Sequence, residues 1–138
     1  MKKTIILIAT FLFTLTGFTQ EKINWLKTNE FENAIKEGEK NCFIYIEDDK
    51  LTKEEIKKRK KYISLYLENK EVVKYINENF ISYKFNPSTE TLKFQEKEYK
   101  KIKLKEKSSH EFTNFLTNSD KNLLPIIVLR DKEFNLFN

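Results

Sequence analysis

Five apolar residues in succession, Cys42-Phe43-Ile44-Tyr45-Ile46, restrict the folds open to this chain more than any other stretch. The run is short, aromatic and β-branched, and it ends in the polar turn Glu47-Asp48-Asp49-Lys50. That combination predicts a buried strand. A capping box, Thr52-x-x-Glu55, follows directly and predicts a helix, so the unit is strand, loop, helix. In many folds the loop at such a junction carries the chemistry, because a helix N-terminus offers free backbone N–H groups and a positive dipole end. Here it carries Glu47, Asp48 and Asp49, and no nucleophile. Three adjacent acids alternate in direction and lack the spacing and glycine of a calcium loop, so no metal site is expected.

The N-terminus bears on compartment. Met1-Lys2-Lys3 is positive, Thr4 to Leu15 is almost wholly apolar or threonine, and Gly17-Phe18-Thr19 places small residues where a signal peptidase reads. Residues 1–19 are expected to be a signal peptide and 20–138 the domain, exported to the periplasm or secreted. The alternative is an uncleaved anchor, but the apolar stretch falls short of the roughly 20 residues that span a bilayer. No cysteine lies at the cleavage position, which excludes a lipoprotein anchor.

About 119 residues then remain, enough for one hydrophobic core. An aromatic content of 14% fits a packed domain even though 34% of residues are charged. The net charge of +5 includes Lys2 and Lys3, and lysine and glutamate are interspersed over the rest, so nucleic acid is not an expected partner. A single cysteine permits no internal disulfide. Cys42 reads first as inert packing within the apolar run, with a reactive or intermolecular thiol as the alternative.

Along the chain, Thr28 offers an N-cap for a helix with Phe31, Ala34 and Ile35 on one face and Gly38 at its end. The helix opened by Thr52 has Ile56, Ile63, Tyr66 and Leu67 as its buried stripe, and the run Lys57-Lys58-Arg59-Lys60-Lys61 reads as a solvated face. Asn69 caps a further segment with Val72, Val73 and Ile76. Phe80 to Phe85 predicts a strand, and Thr91 to Phe94 with Tyr99 to Leu104 a hairpin whose turn lacks glycine. Ser108-x-x-Glu111 is a capping box for a short helix with Phe112, Phe115 and Leu116 on its inner face. His110, without a second histidine or cysteine nearby, is a surface or packing residue rather than a metal ligand. Leu123 to Leu129 is the second buried strand signal, with Pro125 near its start, and Arg130-Asp131-Lys132-Glu133 turns it back into Phe134 to Phe137.

Lys74-Tyr75-Ile76-Asn77-Glu78-Asn79-Phe80, Tyr83-Lys84-Phe85, Phe94 to Tyr99, His110-Glu111 and Leu124-Pro125-Ile126-Ile127-Val128-Leu129 together resemble exported thioredoxin-like proteins of the Bacteroidetes type. The resemblance covers roughly residues 22–138 and is weakest between Glu47 and Leu67. It implies an α/β, thioredoxin-like three-layer sandwich with a central mixed sheet and an inserted β-hairpin, shortened at its C-terminus by one helix. It implies a cis bond at Leu124-Pro125, with the Leu124 backbone free to pair with an extended peptide; a proline that merely starts a strand is the alternative. Family members carry Cys-x-x-Cys at the start of the helix after the first central strand, where the dipole lowers a thiol pKa. Nothing between Asp48 and Arg59 is a cysteine, and Cys42 lies too early and has no partner, so ordinary dithiol exchange is not available.

The expected function is therefore a redox-inactive exported module with no cofactor. It would bind an extended peptide or protein partner in a groove between the loop of Asp48 and Asp49 and Leu124-Pro125. Two alternatives stay open: a thiol-disulfide oxidoreductase relative that uses Cys42 in mixed disulfides, and a truncated non-functional relative. A sheet face left bare by the missing helix would also permit self-association.

Overall fold

The computed structural model describes residues 21–47, 54–103 and 108–137. The expected signal peptide, Asp48, Asp49 and the Thr52 cap lie outside them. In chain order the elements are β1 (Trp25–Leu26), α1 (Thr28–Glu37), β2 (Asn41–Ile46), α2 (Glu54–Glu68), α3 (Lys70–Asn79), β3 (Phe80–Phe85), β4 (Thr91–Phe94), β5 (Lys97–Lys103), β6 (Ser108–His110), α4 (Glu111–Thr117) and β7 (Ile126–Arg130). The fold is mixed α/β. One sheet has the order β1-β3-β2-β7, with β1 and β2 parallel to β3 and β7 antiparallel to β2. A smaller antiparallel sheet has the order β4-β5-β6.

Strand β2 lies between β3 and β7 and is buried on both faces, which is why its sequence is apolar without alternation. Its side chains divide between two cores. Cys42, Ile44 and Ile46 join Phe31 of α1, Tyr83 and Phe85 of β3, Phe94 and Tyr99 of the hairpin, and Phe112 and Leu116 of α4. This core is largely aromatic, with Phe31 stacked on Tyr83 at 4.7 Å between centroids and Phe94 against Phe112 at 4.9 Å. Phe43 faces the other way, onto Ile23, Val73 and Ile76, with Trp25, Leu67 and Ile127 packed around them. Helices therefore cover both faces: α1 and α4 one, α2 and α3 the other.

Helix ends follow local chemistry, at two points differently from the sequence expectation. Lys27, not Thr28, is the N-cap of α1, because the Glu30 carboxylate accepts from the Lys27 N–H at 2.8 Å. Thr28 is the first helical residue, and its hydroxyl is bonded instead to the Tyr83 hydroxyl at 3.0 Å. Gly38 closes the helix at φ 63°, a conformation that favours glycine. Asn69 separates α2 from α3 in an extended conformation, its side-chain oxygen accepting from Glu71 and Val72 N–H at 3.0 and 3.2 Å. Ser108 belongs to β6, and His110 caps α4: its Nδ1 accepts from the Phe112 N–H at 3.0 Å.

The β4–β5 hairpin turns on Gln95 and Glu96, both left-handed at φ 49° and 65°, so the turn is the two-residue type I′ whose twist matches the strands. The Glu32 carboxylate of α1 holds the turn through the Gln95 N–H. Following β7, Asp131 to Asn135 form a tight turn that returns Leu136 to an antiparallel bridge with Arg130.

Candidate functional site

The carboxyl ends of parallel strands are where an α/β sheet offers its crevices. Here β2 and β3 end at Ile46 and Phe85, and α2 runs across that region with a cleft on each flank. On one flank, Arg59 and Ile63 of α2 face Leu123, Pro125, Ile126 and Ile127, forming an open and mostly apolar groove. On the other, Lys60, Ser64, Leu67 and Glu68 of α2 face Trp25, Tyr45, Glu47 and Lys84 across a cleft of about 570 Å³.

The first groove contains the predicted site residues that can be described. Leu124 and Pro125 are both buried, their peptide bond is cis, and they lead into β7 beside the end of β2, where Ile126 pairs with Ile46. Arg59 ties the helix to this segment: its Nη1 donates to the Leu123 carbonyl at 2.9 Å. One member of the basic run is thus a positioning group, whereas Lys57, three residues from Glu54, makes only an exposed ion pair at 3.8 Å.

Of the exposed apolar side chains, Leu123 lines this groove, and others lie on the two elements that flank it. Tyr62 and Tyr66 stand three residues on from Arg59 and Ile63, on the same flank of α2, and are 64% and 65% exposed. Tyr66 is therefore not part of the buried stripe expected from the sequence, which is Ile56, Ile63 and Leu67, each only partly covered. Across the groove Leu123 is 64% exposed and Leu129 40%. Leu129 shares its sheet face with Ile127 and with Phe43, its register partner, so the face covered by α2 and α3 becomes open toward β7.

The second cleft mixes charged and apolar side chains in its lining. Lys84 Nζ lies 2.8 Å from Glu47 and over the Tyr45 ring at 5.9 Å, so this cation is already engaged. Burial, and then the nearby Glu47 carboxylate, push the Tyr45 hydroxyl above its usual pKa, and it stays protonated at neutral pH.

Cys42 lies in neither cleft. It is 1% exposed in the aromatic core, and burial pushes its thiol up to about 12 against the opposing pull of Arg130. A thiol so placed is neither ionised nor reachable. Arg130 is buried beside it and is satisfied by neutral acceptors: Nε and Nη2 donate to the Leu116 carbonyl at 3.0 and 2.9 Å, and Nη2 also to the Phe115 carbonyl at 2.7 Å. Nη1 donates to the Phe134 carbonyl, and the guanidinium lies over the Phe134 ring. The sequence reading assigned Arg130 to a turn; its only signal was a charged residue directly after an apolar run.

His110 is fully buried, and its Nε2 makes no hydrogen bond of good geometry, although the Thr89 backbone still pulls its pKa upward. Among the described residues no group of three or more histidine, cysteine or acidic side chains could hold a metal. Nor is any helix among them long and apolar enough to cross a membrane. Comparison with protein-family models, with curated proteins and with solved structures finds no match.

Proposed function

We propose that this chain is an exported domain of the thioredoxin-like class that binds an extended segment of another protein and carries out no dithiol chemistry. The observation that carries the reading is the apolar groove between α2 and Leu123–Ile127, with exposed Leu123 in its lining and Tyr62, Tyr66 and Leu129 exposed on the elements that flank it. Exposed apolar side chains concentrated along a concavity mark an interaction site rather than ordinary surface. The class is supported by the strand order β1-β3-β2-β7 with an antiparallel last strand, by helices on both faces, and by the hairpin inserted between β3 and α4. Export rests on the character of residues 1–19.

The buried, un-ionised Cys42 speaks against the alternative in which a mixed disulfide forms on that thiol. The test is binding of the purified protein to an array of extended peptides, repeated with Ile63→Asp after its melting temperature is checked. Peptides that bind the native protein and not the folded variant support the reading. An array on which no peptide binds, or on which Ile63→Asp binds equally, refutes it.

A further inference from the structure

Resting on the reading of the groove just given, we infer that its occupant is an extended, apolar segment that carries a carboxylate close to its anchoring side chain. The floor accounts for the apolar part. Ile63, Pro125, Ile126 and Ile127 line it, and all four residues of the β7 stretch Ile126 to Leu129 are apolar. That stretch pairs with β2 along one edge, while beyond it the described residues provide only the bridge from Arg130 to Leu136. A strand edge without charged residues, beside an apolar groove, suits a chain segment in extended conformation, which gains main-chain hydrogen bonds and inserts alternate side chains.

Charge completes the description. Arg59 is the one ionic side chain that lines the groove. A single guanidinium N–H is committed to the Leu123 carbonyl, and no ion pair to Arg59 occurs among the described residues. An arginine has five donors in a planar fork, so those left over can receive a carboxylate without giving up the loop contact. Lys58, next to Arg59 and four residues before Tyr62, adds positive charge on the outer flank; Glu55, one turn earlier, is the opposing acid. The concavity, with its open strand edge, favours a peptide over an anionic membrane surface, which a convex basic helix would suit better.

The experiment uses three labelled nine-residue peptides with alternating valine and leucine, flanked by aspartate, serine or lysine, and follows fluorescence anisotropy with the purified protein. The aspartate peptide is expected to bind about threefold more tightly than the serine peptide, with the lysine peptide weakest. Added salt and the Arg59→Gln substitution should each reduce that preference, with Lys58→Gln giving a smaller reduction and leaving the Leu123 contact in place. Equal binding of the aspartate and serine peptides, abolished by Ile63→Asp, overturns the charge assignment and leaves the groove reading intact. Failure of all three peptides, or binding indifferent to Ile63→Asp, overturns both. Binding to vesicles containing anionic lipid in the absence of any peptide binding overturns the proposal in favour of a membrane surface.

Discussion

The buried histidine makes this protein acid-sensitive in a defined way. His110 holds α4 by accepting the Phe112 N–H on Nδ1, so the folded ring is neutral and carries its proton on the buried Nε2. Protonating Nδ1 sets two N–H groups against each other and places a charge in the core beside Phe85, 5.0 Å away between ring centroids. Burial lowers the pKa of His110 below its ordinary 6.5; Glu111, the Thr89 carbonyl and Glu90 pull upward, and Lys101 adds to the lowering. The unfolded chain therefore takes up a proton near pH 6.5 that the folded chain refuses, and stability falls as pH drops below that value until the folded ring itself protonates. The loss between pH 7.5 and 5.5 has a ceiling of about 1.4 kcal/mol, reached when the folded ring stays neutral throughout that range. In a domain of this size that ceiling corresponds to a fall of about 5 °C in melting temperature. His110→Asn keeps a capping oxygen and cannot titrate. Urea denaturation of both proteins at the two pH values isolates the effect, because the chain has one histidine and every other group is common to both. Equal pH dependence in the native protein and the variant would refute the reasoning.

Two further predictions concern local chemistry. Cys42 in the folded protein should not react with a colorimetric disulfide reagent at pH 8, and should react with one equivalent in denaturant; rapid labelling of the folded protein would contradict its placement in the core. Glu96→Gly should stabilise the protein by about 0.5–1 kcal/mol in chemical denaturation, because it removes a side chain from a left-handed turn position; destabilisation would count against the type I′ geometry.

The central elements were legible because each has its own periodic or punctuating signal. The apolar run of β2, the Gly38 stop, the Asn69 cap and the inner face of α4 all depend on neighbours within one or two turns. Cap identity was harder. Thr28 and Ser108 have the right hydroxyls, yet Glu30 reaching back to Lys27 and the ring nitrogen of His110 do the work, and no local pattern ranks those choices. Strand β1 is two residues long, too short to show alternation, and exists through its pairing with β3. Tyr66 falls at helical spacing from Ile63 but lies past the edge of the stripe, where nothing in the described fold covers it. The groove joins α2 to a segment some sixty residues later, so the sequence could suggest it only through the resemblance.

Arg130 has a consequence for how this protein comes apart. Its guanidinium joins the last carbonyls of α4 to the Phe134 turn while its backbone is the end of β7, which is hydrogen-bonded into the main sheet. If any one of the three pieces moved away alone, a charge would remain in the core short of acceptors, at a cost well above that of breaking ordinary contacts. Helix α4, β7 and the turn are therefore bound into one cooperative unit, whose amides exchange with solvent together despite lying on separate elements.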